Sequence, residues 1–143
     1  MKCVAYLSHA ARPETEASIV ELAHECAAAN AQAGVTGVLA YIDGRFAQLI
    51  EGPRDGVDDV LARINDSRRH RDITVLGESA IDARAFPDAG MLLLRVDDAA
   101  ALEAMARTRP LLRPIQIDLL GRIVRFLRWE HAQAPPREAQ SSG

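Results

Sequence analysis

The sequence predicts an α+β fold of the ferredoxin-like type, βαββαβ, with an additional fifth strand, two helices on one sheet face and two further helices at the C-terminal end. Three observations carry this reading. Asp43-Gly44 stands between two β-rich runs, residues 35–42 and 45–50; a type I′ turn needs φ > 0 at both central positions, so this pair is the strongest short-range hairpin signal. Two stretches, one after Pro13 and one after Pro53, repeat apolar residues at spacings of 3 and 4, the period of a half-buried helix. Short apolar runs at residues 3–7, 73–81 and 91–96 supply the remaining strands.

In chain order, residues 3–7 (CVAYL) read as a buried strand with Tyr6 on the same face as Val4, followed by a polar loop at residues 8–12. The first helix is predicted to start at Pro13, whose missing N–H costs little in a first turn. Glu14 and Glu16 suit the positive end of the helix dipole. Gly34 is a natural terminator. Its apolar stripe is Ile19, Leu22, Ala23 and Cys26, and the same face continues to Asn30. That asparagine either frays the last turn or aims an amide at a buried polar ligand. In the hairpin, alternation places Phe46, Gln48 and Ile50 on one face and Arg45, Ala47 and Leu49 on the other. Gln48 therefore points into an apolar layer, where an amide must find partners or cost about 1–3 kcal/mol.

Pro53 suits the start of a second helix, with Val57, Val60, Leu61 and Ile64 as its stripe and an end near Ser67. Arg63 lies beside that stripe. The basic run 68–71 is expected to be a solvated loop. Residues 97–107 and 115–129 read as two more helices; Ile115, Leu119, Ile123 and Phe126 form an apolar side of the second. That side either covers the free sheet face or makes a subunit contact. The chain therefore divides into a domain at 1–96, a helical extension at 97–131 serving as cap, output or oligomerisation element, and a Pro/Ser/Gln-rich tail at 132–143 expected to be disordered.

A length of 143 residues with 48% hydrophobic and 26% charged residues is that of one ordinary globular domain. A net charge of −3 gives no electrostatic support to nucleic-acid binding. No apolar run approaches the ~20 residues that span a bilayer, and no leader precedes Met1, so a cytoplasmic protein is expected. Cys3 and Cys26 have no metal-ligand spacing, and no metal is expected. The four histidines (His9, His24, His70 and His131) lie in different elements, with no nucleophile–base signature and no phosphate-binding glycine loop. An enzyme is therefore not expected. What remains is three neutral hydrogen-bonding side chains on inner faces, Tyr6, Asn30 and Gln48. A flat heteroaromatic ligand with carbonyl and N–H edges, held between the two helices, is the class they would read.

At these residues the sequence resembles a BLUF domain, the flavin-binding blue-light sensor. The resemblance covers roughly residues 2–96. It rests on Tyr6 in AYLS, Asn30 ahead of Gly-Val-Thr-Gly in NAQAGVTG, the hairpin DGRFAQLIEG, Arg63-Ile64 ahead of His70, and Ile81-x-x-Arg84-x-Phe86 ahead of Met91. It implies a flavin, FAD or FMN, between the main helices, with Tyr6, Gln48 and Met91 as photoactive and switch residues. Tyr6, Asn30, Gln48, Arg63, Arg69 and His70 would be the cofactor-binding set. Tyr6 would donate an electron and a proton, Gln48 would rearrange its hydrogen bonds, Asn30 and Arg63 would hold the ring edges, and Met91 would relay the change. Arg68, Arg69 or His70 would lie near the ribityl-phosphate tail. Ala29, Ser67 and Ala89 depart from the family pattern. The implied function is a photoreceptor signalling through a partner protein or through self-association as a homo-oligomer. The alternatives are a flavin-less interaction or oligomerisation module on the same fold, and an acylphosphatase-like hydrolase for which only His9 and Arg12 speak.

Overall fold

The computed structural model describes residues 1–133. The elements run β1 (Lys2–Ala10), α1 (Glu16–Ala33), β2 (Thr36–Ile42), β3 (Arg45–Gly52), α2 (Arg54–Asp66), β4 (His70–Ala80), β5 (Leu92–Leu94), a 3₁₀ turn (Val96–Asp98), α3 (Ala99–Thr108) and α4 (Pro114–Gln133). The sheet order is β4-β1-β3-β2-β5. All neighbours are antiparallel except β5, which runs parallel to β2 and pairs Leu92, Leu93 and Leu94 with Val38, Leu39 and Ala40. This is the βαββαβ arrangement with one strand added at the β2 edge.

The hairpin forms as its turn chemistry requires, with Asp43 at φ 49° and Gly44 at φ 81°. Register then follows from it, and Leu39 faces Gln48 while Val38 faces Leu49. Alternation sorts the sheet into two apolar layers. Val4, Tyr6, Leu39, Phe46 and Ile50 pack with Ile19 and Leu22 of α1 and Val57 and Val60 of α2. Cys3, Ala5, Val38, Ala47 and Leu49 pack with Leu102 of α3 and Leu119, Leu120, Ile123 and Leu127 of α4. Helices thus cover both faces, α1 and α2 on one and α3 and α4 on the other. A Cβ at Gly77 of β4 would stand 3.0 Å from Leu119 Cδ2, so a glycine at that point lets α4 seat directly on the strand.

Several element ends differ from expectation, each for a local reason. The first helix starts at Glu16, not at Pro13, because Thr15 and Ser18 form a reciprocal capping box: Ser18 N–H donates to Thr15 Oγ1 at 3.1 Å and Thr15 N–H to Ser18 Oγ at 2.8 Å. Two orphan donors are satisfied there, which a proline start cannot match. The expected loop at 68–71 is half strand: His70 and Arg71 pair with Ala10 and His9, and pairing with the long β1 overrides the polar composition. The fifth strand is three residues long, not six. Arg95 N–H donates to Asp98 Oδ2 at 2.7 Å and turns the chain into the 3₁₀ segment, so α3 begins at Ala99 and not at Asp97. Helix α4 begins at Pro114, in the first-turn position proline favours, and takes in Ala132 and Gln133, which the sequence assigned to the tail. The rest of that tail lies outside the described residues.

The Leu119 side chain is fully buried between α4 and Gly77. Leu119→Ala is expected to lower the unfolding free energy by about 2–5 kcal/mol, measured by urea denaturation with an unchanged m-value.

Candidate functional site

Tyr6 and Gln48 stand directly opposite each other on β1 and β3, on the face covered by α1 and α2. Both are fully buried. The Tyr6 hydroxyl and both polar atoms of the Gln48 amide have no hydrogen-bond partner. Buried polar groups are almost always satisfied, and three unpaired atoms on neighbouring side chains identify a place where a ligand belongs. Burial holds the Tyr6 phenol well above its ordinary pKa, with the nearby Cys26 thiol adding to the effect. Tyr6 is therefore a neutral O–H donor.

On the same side of the sheet, α1 and α2 leave a cleft of about 170 Å³, whose lining includes neither Tyr6 nor Gln48. Helix α1 contributes Leu22, Cys26 and Asn30, and α2 contributes Val60, Arg63 and Ile64; His70 and Met91 complete the wall. The Asn30 side chain, expected either to fray the helix or to face a ligand, has a structural bond as well: Nδ2 donates to the Gly90 carbonyl at 2.9 Å. A carbonyl only accepts, so the amide orientation is defined and Oδ1 is left as the free acceptor. Met91 lies immediately before β5, so the Asn30 bond ties it to α1.

His70 is buried. Its Nδ1 lies 2.8 Å from Ser8 Oγ and its ring 4.6 Å from that of Phe46. Burial is the main cause that lowers its pKa, and the Arg69 charge adds to it. Arg63 is exposed at the cleft rim. Arg69 does not line the cleft: with Arg12, Glu14 and Arg68 it borders a neighbouring polar recess, within 4.0 Å of Glu14. The structure therefore gathers Asn30, Arg63, His70 and Met91 around one cleft, buries Tyr6 and Gln48 in the sheet face on the same side without lining it, and sets Arg69 in the neighbouring recess. Ala29 and Ser67 also line the cleft.

Two features escaped the reading of the sequence. Cys26 was visible only as one more member of an apolar stripe, although it lines the cleft. Glu51, on the opposite face from Gln48, is fully buried and accepts from Ala85 N–H at 3.1 Å and Phe86 N–H at 2.6 Å. Arg84 reaches back from the same loop, Nη2 donating to the Gly34 carbonyl at 2.8 Å and Nη1 to Thr36 Oγ1 at 3.1 Å. Gly37 N–H donates to the Ala89 carbonyl at 3.0 Å. The segment that delivers Met91 is thus bolted to β2, β3 and α1. The signal for Glu51 was present, since an acid at the end of an apolar strand needs donors, but nothing nearby in sequence named them. Among the described residues, no group of three or more His, Cys, Asp or Glu is arranged to hold a metal ion, and no helix is long and apolar enough to cross a membrane.

The family profile described as sensors of blue-light using FAD (BLUF) matches residues 1–92. The chain is 31% identical over 120 residues to the photoactivated adenylate cyclase subunit beta of Euglena gracilis, taking in 84% of this chain and 13% of that protein. Among solved structures, the BLUF protein BlrB in its dark state matches with a TM-score of 0.64 at 32% identity, over 71% of this chain and 76% of that one. Klebsiella pneumoniae BlrP1, in a calcium/cy-diGMP complex, matches with a TM-score of 0.72 at 25% identity, over 89% of this chain and 34% of that one. The chain thus spans only a small part of the curated relative's length.

Two buried ionisable groups make opposite predictions about pH. The His70 pKa is lowered from 6.5, so its contribution to stability is present above that value and lost as pH falls through the folded one. His70→Gln is expected to flatten the acid-side loss of stability in a pH series of urea titrations; an unchanged slope would place the loss elsewhere. Glu51 is raised from 4.5, burial outweighing its two backbone donors, so its contribution is present below that value and declines as pH rises through the folded one. Glu51→Ala strands two N–H groups and is expected to cost on the order of 2–6 kcal/mol at neutral pH. Glu51→Gln, which keeps one acceptor, should cost less than half of that.

Proposed function

The chain belongs to the BLUF family of flavin-binding blue-light sensors, and from that premise we propose that Tyr6 and Gln48 are its switch, that Asn30, Arg63 and His70 hold the flavin ring, and that Met91 carries the change out of the site. The observation that supports this most strongly is the buried, unpartnered trio of Tyr6 Oη, Gln48 Nε2 and Gln48 Oε1. A flavin-less scaffold would leave all three unsatisfied, at about 1–3 kcal/mol each. A flavin ring offers both carbonyl acceptors and a ring N–H. The Gln48 Nε2 suits the former and the Asn30 Oδ1 the latter. The cleft is smaller than the roughly 300–1,000 Å³ of typical ligand pockets, and a flavin ring between the helices would have to displace side chains of its α2 wall, where Arg63 and Ile64 are not fully buried.

A bound flavin supplies absorption of blue light and an excited state that accepts an electron. The residues supply the rest. Tyr6, neutral and shielded from water, would lend an electron and the proton of its O–H to the excited ring and take both back as the ring relaxes. Gln48 is opposite it and carries a donor and an acceptor on one rotatable amide, so turning that amide exchanges the two without covalent chemistry. Met91 senses the exchange from the far wall of the cleft. Arg68 and Arg69, which border the neighbouring recess with Arg12, would meet the anionic tail of the cofactor, FAD or FMN.

Residues 1–96 are then the sensor, and residues 97–131 its output cap. The relatives named photoactivated adenylate cyclases support an output delivered to an effector, either a partner protein or a second copy of the chain, in the cytoplasm. The resemblance of this chain to those relatives lies in the light-sensing part.

Purified protein is expected to show a flavin spectrum that shifts slightly to the red under blue light and recovers in darkness. Gln48→Leu should retain flavin and lose the shift; a normal red-shifted product in that variant overturns the role given to Gln48. Tyr6→Phe should keep the fold, since the ring still packs, and lose the photocycle, as followed by transient absorption.

A further inference from the structure

Gly121 occupies the middle of α4, where glycine is the least favourable ordinary residue after proline. The chain's own packing does not require it. A Cβ at Gly56 would stand 2.1 Å from the Ala33 carbonyl oxygen and one at Gly77 would press on Leu119, whereas a Cβ at Gly121 would meet nothing within 4 Å. Two clefts on the α3–α4 side meet at this residue. One, of about 270 Å³, lies between α3 and α4 and is floored by Leu102, Ala106, Leu120 and Val124, with Ile117 exposed at its edge. The other, of about 770 Å³, runs from Gly121 and Val124 past Phe126 to Leu7 and Leu76 of the sheet.

The charge around these clefts leans positive, with Glu103, which lines both, as its one acid. Residues 99–128 contain six arginines and two acids, Glu103 and Asp118, in a chain whose net charge is −3. Both acids are already neutralised, Glu103 by Arg128 and Asp118 by Arg122. Arg107 at the first cleft and Arg125 at the second make no ion pair among the described residues. A groove with an apolar floor, a glycine notch and one such arginine at each of its two clefts is matched by a helix that is apolar on one side and acidic on the other. We propose that the α3–α4 groove is the docking site for an acidic amphipathic helix of a partner protein, which approaches closest at Gly121.

A second copy of this chain is the poorer occupant. Its acidic helix α1 carries Glu16, Glu21 and Glu25, but the apolar stripe of that helix, Ile19, Leu22 and Ala23, is already buried in its own core. Helix α2, with Asp55, Asp58 and Asp59, likewise keeps Val57 and Val60 in the core, so among the described residues no acidic helix has a free apolar side. This site lies on the opposite sheet face from the flavin cleft, and its test does not depend on photochemistry.

The probe is a labelled synthetic helical peptide with leucines on one side and glutamates on the other, titrated into the full flavin-loaded chain and read by fluorescence anisotropy. Saturable binding is expected that weakens with added salt and falls at least tenfold when the glutamates are replaced by lysines. Gly121→Leu and the pair Arg107→Glu with Arg125→Glu should each cost tenfold or more. Gly121→Ala should raise the Tm of the free protein by a few degrees yet weaken the peptide, which separates a closed notch from a damaged fold. The proposal is overturned by absence of saturable binding, by equal binding of the lysine peptide, or by an affinity that Gly121→Leu leaves unchanged. It is equally overturned if Gly121→Leu dissociates a dimer seen by light scattering, if truncation after Gln133 strengthens binding by removing an internal occupant, or if anionic phospholipid vesicles compete the peptide away.

Discussion

The structure depends on one awkward burial. Tyr6 and Gln48 put a phenol and an amide at the middle of an apolar sheet face, on the two strands that lie second and third in the order. Their neighbours in the sheet have spent their backbone groups on the ladders, so neither side chain finds a main-chain partner in the plane. Satisfaction has to come from the helical side. That is where α1 and α2 part, and where the residues facing the gap include Asn30 with a free carbonyl, Cys26 with a neutral thiol and a neutral His70. The polarity of the cleft is thus the complement of a demand made from below.

The second requirement is that the cleft wall carrying Met91 be held still, because a short loop would otherwise fill the gap itself. Glu51, Arg84, Asn30 and the Gly37 amide hold it at four points spread over β3, β2 and α1. Each bond joins the segment before β5 to an element already fixed by the sheet. Glu51 is the expensive member: a carboxylate in the apolar layer, tolerated because two backbone donors converge on it. A fold with no use for a rigid Met91 could close this loop with apolar contacts alone, so the cost at Glu51 and the demand at Gln48 are parts of one arrangement.

Much of this was legible in the sequence because the signals were local. Asp43-Gly44 defined the hairpin, alternation put Gln48 on the buried face, and a spacing of four put Asn30 below Cys26. Local competition explains the errors as well. Pro13 suggested a helix start two residues ahead of a capping box whose second half, Ser18, is an ordinary residue until Thr15 is seen opposite it. The run at 68–71 read as solvent because three of its four residues are arginine, while the decisive fact was a free edge on β1 far away in sequence. The partners of Glu51, at positions 85 and 86, and the separation of Arg69 from the cleft are products of long-range placement, which no short window contains. Cys26 hid because a thiol and a methyl group look alike in an apolar stripe.

The two faces of the sheet are also closer to one another than their separate layers suggest. Gln48 points toward α1 and α2, but its neighbours Ala47 and Leu49 point the other way, into the cluster held by Leu119, Ile123 and Leu127 of α4. The next residue of that face, Glu51, grips the loop that bears Met91. Strand β3 therefore joins both sides of the domain. It touches the segment leading to Met91 through Glu51 and the seat of α4 through Leu49. Close packing makes such a seat respond as a unit, and at Gly77 an added Cβ would stand 3.0 Å from Leu119 Cδ2, close enough that the leucine would have to give way. The strand that carries Gln48 is in this way a strand on which the C-terminal helices rest.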